Sequence, residues 1–359
     1  MKIIVDAMGG DHAPNALVEG ALQAVKEYGV GVTLVGRGEV ILACLEQMGI
    51  RNLPAGLEIA NAEQVIEIED NPATAFKEKK DSSITIGLKL LKEGHGDAFV
   101  SAGSTGALLS AATLLVKRVR GIRRAALAPV IPTTTGGMLL IDCGATAECT
   151  PEYLMQYAFM GSYYAKRVLN LPEPRVGLLN IGAEPEKGLD LQRETYRLLQ
   201  QANEEGRIRF VGNVEAREAI LGSADVLVTD GYSGNIFLKT FEGAALFVGG
   251  KLKKMLKTNL RSKFAASLLL GEIQQFKKSL DPGEIGGTAL LGISKPVIKA
   301  HGSSDAFAIK NAIRQAIQFV NSNLIEDITK NVAHMRLPVA SQDGEKTTEE
   351  PGAIMENSY

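Results

Sequence analysis

The chain is 359 residues long, 45% apolar, with a formal net charge of −2. Those values describe a globular protein with room for a large core and exclude a disordered chain. The near-balanced charge, the 5% aromatic content and the lack of Trp leave neither a basic surface nor stacking platforms for general nucleic-acid binding.

The first predicted strand, residues 2–6, is a short apolar run that ends in the carboxylate of Asp6. Gly9 and Gly10 then strip side chains from the loop, Asp11 and His12 bring two polar groups to it, and Pro14 pre-sets φ for a helix over 16–28. A glycine loop between a strand and a helix leaves backbone N–H groups free to meet an anion, although a tight turn with no ligand uses the same residues. Further strands are predicted at 31–36, 98–101, 138–142, 176–179, 208–212, 226–228 and 296–299, and helices at 84–93, 151–169 and 305–321. Most of the strands are continuous Val/Ile/Leu runs, as in strands buried on both faces. Their alternation with helices predicts an α/β fold, a mostly parallel sheet in an α/β/α sandwich, with ligands at the carboxyl ends of the strands. Residues 1–335 are read as one large α/β domain and the Glu-, Ser-, Gly- and Thr-rich residues 336–359 as a disordered tail. Cys44, Cys143 and Cys149 have no CxxC spacing, and there is no signal-peptide pattern or membrane-spanning apolar stretch, so a reducing, cytoplasmic setting is expected.

Between about 245 and 287 the alternation breaks, and an inserted basic amphipathic helix is expected. Lys251, Lys253, Lys254, Lys257, Arg261 and Lys263 run with no acid until Glu272. Leu252, Leu256, Leu260, Phe264 and Leu268 recur every fourth residue as one apolar stripe, followed by Leu269 and Leu270. Such a helix can rest on an anionic membrane or dock an acidic partner; it can equally pack its stripe on the core.

Seven predicted strands are followed by polar, glycine-rich loops. They are Asp6-Ala-Met-Gly-Gly-Asp-His12, Ser101-Ala-Gly-Ser-Thr-Gly106, Asp142-Cys-Gly-Ala145, the segment from Asn180 to Gly188, Gly212-Asn-Val-Glu215, Thr229-Asp-Gly-Tyr-Ser-Gly-Asn235 and His301-Gly-Ser-Ser-Asp305. Gathered on one sheet edge they would line a cleft with N–H groups, hydroxyls and amides. No loop carries a GxxxxGK[ST] phosphate loop, a GxGxxG dinucleotide turn, an HExxH zinc motif or a GxSxG nucleophile elbow.

The segments DAMGGDHAP, SAGSTGA, NIGAEPEKG, VGNVEAR, VLVTDGYSGN and IKAHGSSD, in that order from Met1 to about Asn321, closely resemble the bacterial phosphate acyltransferase (PlsX) family. Two positions depart from its usual pattern, Ser104 and Thr146, where the family carries Asn. The resemblance implies a fold like that of the isocitrate/isopropylmalate dehydrogenases and phosphotransacetylases. It implies transfer of a long-chain fatty acyl group from acyl carrier protein to inorganic phosphate. The acyl phosphate formed would then acylate glycerol 3-phosphate, through a downstream acyltransferase, in phospholipid synthesis. It also implies a homodimer at the membrane surface, with no metal or nucleotide cofactor.

Phosphate is already an anionic nucleophile, so it needs positioning more than a covalent enzyme intermediate. Gly9, Gly10, Asp11, Ser101, Gly103, Ser104, Thr105, Asp230, Gly234, Ser303 and Ser304 are the candidate phosphate and substrate contacts. Lys187, Asn235 and His301 are candidate donors to a tetrahedral oxyanion, and His12 or His301 a candidate proton donor to the leaving thiolate. Asp6, Asp11, Asp230 and Asp305 could orient a His or Lys. Each has a plainer reading: His12 as a cap, Ser303, Ser304 and Asp305 as an N-cap run, Lys187 as a solvated charge, Asp230 as a turn brace. His95 and His334 read as surface residues, and Cys143 as a small buried residue and not a nucleophile. Leu252, Lys253, Leu256, Lys257, Leu260, Arg261 and Phe264 are the candidate contacts with membrane or with acidic acyl carrier protein. Two other readings remain open, a phosphotransacetylase using acyl-CoA and a non-catalytic scaffold that binds acyl carrier protein.

Overall fold

The computed structural model of the chain describes residues 1–280 and 282–335; the segment read as a disordered tail lies outside them. The strands are β1 (Lys2–Asp6), β2 (Gly31–Gly36), β3 (Leu57–Asn61), β4 (Ala98–Ser101), β5 (Ala126–Ala128), β6 (Val130–Thr133), β7 (Gly136–Ile141), β8 (Arg175–Asn180), β9 (Arg209–Glu215), β10 (Val226–Val228), β11 (Thr288–Leu291) and β12 (Val297–Lys299). They form two sheets. The seven-stranded sheet has the order β3-β2-β1-β4-β12-β11-β5 and the five-stranded sheet the order β6-β7-β10-β8-β9. All neighbours run parallel except where β11 and the edge strand β6 are involved. This is the mostly parallel α/β architecture expected, but divided in two. The division falls at Pro129, the one residue between β5 and β6, which has no N–H to give a ladder.

The central strands are buried because they are apolar on both sides: Ile3, Ile4, Val5, Val226, Leu227 and Val228 are all inaccessible to solvent. One apolar cluster runs from Ile3, Val5 and Val100 of the first sheet to Leu139, Ile141, Val176 and Val226 of the second. Helices cover these strands, among them Asn15–Tyr28, Ser83–Glu93, Pro151–Arg167 and Ala306–Asn321. Side-chain caps on first-turn N–H groups set the starts of the last three and of the helix Gly231–Leu256, whereas Asn15–Tyr28 follows Pro14 with no side-chain cap. Ser82 accepts from Thr85 N, Thr150 from Tyr153 N, Asp230 from Ser233 N and Asp305 from Ala308 N.

Four strands, β3, β5, β6 and β11, have no counterpart in the expected series. β5 is Ala-Leu-Ala and β11 is Thr-Ala-Leu-Leu, three or four residues that carry no period and little β preference of their own. The segment Gly212–Glu215, expected as a loop, belongs to β9. Val176 pairs with Phe210 but Leu178 with Asn213, so β9 holds one extra residue there, and Gly212 takes it up at φ +92°. The segment Gly231–Asn235, also expected as a loop, is the start of a 26-residue helix, Gly231–Leu256. The basic segment therefore begins in the far half of an element that starts at the strand ends, and runs on past it. Its apolar stripe is not continuous: the helix stops at Leu256, and Asn259 caps a new one, Leu260–Leu268, by accepting from Ser262 N at 2.9 Å. A strict four-residue repeat also drifts about 40° per step around an α-helix, so five such positions cannot share one narrow face.

Helices Asn15–Tyr28 and Ala306–Asn321 cross at Gly20. A Cβ there would stand 2.7 Å from the Ala306 carbonyl oxygen and 2.7 Å from the Ile309 Cβ. Gly20→Val is expected to cost about 1–3 kcal/mol through overpacking, read as a lower urea midpoint at unchanged m-value.

Candidate functional site

Three loops of the seven-stranded sheet meet backbone to backbone, because β1, β4 and β12 are neighbours and parallel. Asp11 N donates to the Gly302 carbonyl at 2.8 Å. A Cβ on Gly9 would stand 2.6 Å from Gly103 N, and one on Gly10, whose φ is +104°, 3.0 Å from the Gly302 oxygen. Only glycine permits that approach. The loops close over Asp6, which is inaccessible to solvent. Its carboxylate accepts from Ser101 Oγ at 2.6 Å and from Met8 N at 3.1 Å, while Ser101 Oγ accepts from Gly103 N at 3.0 Å. Burial raises the Asp6 pKa above the usual carboxylate range, against the lowering effect of its hydrogen bonds.

The same loops hold His301. Its Nδ1 accepts from Ser303 N at 3.2 Å and lies 2.8 Å from Ser303 Oγ. In the neutral ring the proton therefore sits on Nε2. Ser304 is buried, with its N–H on the His301 carbonyl at 3.1 Å. Ser104 is the residue before the helix Thr105–Ala111, with no side-chain cap bond, and Thr105 is its exposed first residue. His12 is exposed; its carbonyl accepts from Ala16 N at 3.0 Å, so its backbone helps to start the first helix.

A second group gathers at the five-stranded sheet, around Asp142 at the end of β7. Asp142 is also inaccessible to solvent. It accepts from Leu127 N at 2.9 Å, Ala145 N at 3.1 Å and Thr146 N at 2.7 Å. Leu127 lies in β5, so this carboxylate ties one sheet to the other. Burial pushes its pKa up to about 6 despite those three bonds. The helix Gly231–Leu256 begins directly against it: a Cβ on Gly231 would stand 2.6 Å from Asp142 Oδ2, and one on Gly234 1.9 Å from the Asp142 carbonyl oxygen. Asp230 braces this start by accepting from Ser233 N at 2.8 Å, as its plainer reading had it. Asn235 lies over Gly144, where a Cβ would be 3.0 Å from Asn235 Nδ2. One turn on, Lys239 comes within electrostatic range of Lys299 at the end of β12, which links the two groups.

Lys187 belongs to a third loop, after β8. Its carbonyl accepts from Asn180 Nδ2 at 3.0 Å and its side chain is exposed. None of its hydrogen bonds joins it to His301 or to Asn235 among the described residues. His95 and His334 are exposed, as expected. Cys143 is buried with Sγ 3.6 Å from the Gly234 carbonyl oxygen, and burial followed by the nearby Asp142 charge raises its pKa; burial pushes Cys149 up to about 12. Neither thiol is a ready nucleophile.

Two buried charges were missed as site residues by sequence reasoning. Asp142 stood at a strand end in a glycine motif, as Asp6 did, and that parallel was the available signal. Lys299 stood as a lysine closing the apolar run Val297-Ile298, where a charge is out of place.

A family model described as "Fatty acid synthesis protein" matches residues 1–327. The phosphate acyltransferase of Bacillus licheniformis is 45% identical over 334 residues, 92% of this chain and 98% of the relative. That of Alkaliphilus oremlandii is 46% identical over 335 residues, 93% of this chain and 98% of the relative. Among solved structures, a phosphotransacetylase from Streptococcus pyogenes aligns at a TM-score of 0.60 and 17% identity, over 89% of this chain and 94% of that one. A branched-chain phosphotransacylase from Enterococcus faecalis aligns at a TM-score of 0.53 and 15% identity, over 89% and 99%. These neighbours share the fold.

Asp142→Ala orphans three backbone N–H groups, and each buried orphan costs about 1–3 kcal/mol. The variant is expected to be destabilised by about 3 kcal/mol or more near pH 4. A folded-state pKa raised to about 6 means that the wild type pays for a buried charge as pH rises from about 4 to 6. The gap between wild type and variant should therefore narrow across that window and stay level above it, as followed by urea unfolding at a series of pH values.

Proposed function

The chain belongs to the PlsX-type fatty acid synthesis protein family, whose curated relatives are phosphate acyltransferases, and on that premise we propose that it moves a long-chain acyl group from acyl carrier protein to inorganic phosphate. It is an acyltransferase; the carrier-protein donor and the use of the product in phospholipid synthesis are the proposal. The observation that carries it is the meeting of the 9–11, 102–104 and 300–304 backbones at glycines, with the thiols of buried Cys143 and half-buried Cys149, near Asp142, both raised in pKa by burial. Such a site favours direct attack by a bound anion over a covalent enzyme intermediate.

In the proposed reaction a phosphate oxygen attacks the thioester carbonyl carbon. The tetrahedral intermediate collapses with cleavage of the C–S bond, giving acyl phosphate and a thiolate that takes a proton. Gly9, Gly10, Gly103, Ser104, Thr105, Ser303 and Ser304 are assigned to the phosphate. Asn235, with Lys187 from the adjoining strand end, is assigned to the carbonyl oxygen as charge develops there. His301 is assigned the proton of the leaving thiolate, a role supported by its Nε2–H tautomer.

No helix among the described residues is long and apolar enough to cross a membrane. A peripheral site is proposed instead at the outer end of Gly231–Leu256 and on Leu260–Leu268. Leu260 is 83% exposed and Phe264 68% exposed, amid Lys253, Lys257, Arg261 and Lys263. Leu252 and Leu256 are half-buried and contribute less. A cytoplasmic homodimer at that surface, handing acyl phosphate to a glycerol 3-phosphate acyltransferase, completes the proposal.

Purified protein mixed with palmitoyl acyl carrier protein should release thiol only when orthophosphate is added, with the product trapped by hydroxylamine as hydroxamate. Phosphate-independent release, or a preference for palmitoyl-CoA, would sink the reading. His301→Gln should lower turnover by about 10²-fold with little change in thermal midpoint. Leu260→Glu with Phe264→Glu should abolish co-flotation with anionic vesicles while solution turnover persists; retained flotation would remove the membrane site.

A further inference from the structure

Lys299 is the one buried lysine among the described residues. It closes β12 opposite Ser101 of β4, and its side chain is shielded beneath the loops that meet at Gly9, Gly103 and Gly302. Its Nζ donates to the Ala102 carbonyl at 3.3 Å and to the Ala300 carbonyl. An ammonium has three donors, so two of them clip the 102–104 loop to the 300–304 loop. Burying the charge is costly and a neutral side chain would satisfy the packing, which raises the question of what the charge does.

The surroundings answer it. The charged groups that face Nζ are Asp6 from β1, Asp11 from the loop after it and Lys239 from the helix Gly231–Leu256. The flanking strands β4 and β11 bring no charged side chain. On Ala306–Asn321, Lys310 is tied to Glu27 and Arg314 to the Glu284 carbonyl. Two carboxylates at a glycine cradle would repel an incoming anion, and one cation beneath them offsets that field at short range, where screening is weak.

Resting on the phosphate acyltransferase reading, we propose that Lys299 is a positioning residue for inorganic phosphate. It fixes two of the three loops by their carbonyls, and its charge offsets Asp6 and Asp11 so that the cradle admits an anion. Burial holds its pKa down at about 8, against the opposing effect of the two carboxylates, so the charge fades within the accessible alkaline range.

Lys299→Gln keeps amide donors for the two carbonyls and removes the charge. At pH 7.5 it should raise the phosphate KM by roughly tenfold, with kcat and the acyl-donor KM little changed. In the wild type the phosphate KM should climb as pH passes 8, where orthophosphate is already dianionic, and in the variant it should stay flat. A wild-type phosphate KM in the variant, or the same alkaline climb in both, overturns the proposal. Thermal stabilisation by orthophosphate alone, measured on both proteins at pH 7.5 and 9, separates this from the reaction itself and reads out even if the variant is less stable. Stabilisation that weakens in the variant upholds Lys299 even if no turnover is found; equal stabilisation, or none in the wild type, removes it.

Discussion

Two buried carboxylates shape everything at the strand ends. Asp6 and Asp142 close the parallel strands β1 and β7, each with no solvent access. A buried carboxylate is tolerable only when surrounding donors replace its water. Here the donors are nearby backbone N–H groups, Met8 and Gly9 for Asp6, and Ala145, Thr146 and Leu127 for Asp142. Turning those N–H groups inward curls each loop tightly over its strand. The curl brings other chain segments so close that only glycine fits: Gly9 and Gly103 over Asp6, Gly231 and Gly234 over Asp142. The glycine motifs are thus the packing consequence of the aspartates. Asp142 does one thing more, since its bond to Leu127 N reaches into β5 and holds the two sheets in register.

That arrangement bears on the proposed chemistry. Residues elsewhere recruited as nucleophiles are here spent on structure or sealed away. Ser101 Oγ donates its hydrogen bond to Asp6, and burial raises the pKa of the Cys143 and Cys149 thiols. What remains at the surface of the cradle is backbone, hydroxyls and an imidazole fixed by Ser303, while the Asn235 amide lies over Gly144 in the second group. Such a surface can hold and aim a reagent that is already nucleophilic, and phosphate is one.

Much of this was legible in the chain. Strands buried on both faces announce themselves as apolar runs, and β1, β2, β4 and β10 have the expected limits. The loops that follow β1, β4, β7, β8 and β12 were readable because glycine beside a carboxylate or hydroxyl is uncommon outside tight turns. Two of the seven segments were not what they looked like. Gly-Tyr-Ser-Gly-Asn has the composition of a loop, yet Asp230 caps it into a helix, because the close approach to Asp142 needs glycine at 231 and 234. Gly212 looked like a turn and is the extra residue of a bulge inside β9, which local composition cannot distinguish. Lys299 was overlooked for another reason: a charge closing an apolar run is a faint local signal, and its burial depends on loops from distant parts of the chain.

The helix Gly231–Leu256 decides how the two ends of the molecule relate. At 1.5 Å per residue its 26 residues span roughly 39 Å. Its first turn is pinned by Asp230, Gly231 and Gly234 against Asp142, in the interior. Its last turns carry Leu246, Phe247 and Met255 into solvent beside Lys251, Lys253 and Lys254. Phe237, Leu238 and Phe241 still pack on the core, but from Gly243 on, a Cβ at Gly243, Gly249 or Gly250 would meet nothing within 4 Å. The pinned end is built to a tolerance of tenths of an ångström and the free end is not. Whatever the far end touches, the position of Asn235 is set by Asp142, so changes at the tip and changes at the first turn are separable by mutation even though one helix carries both.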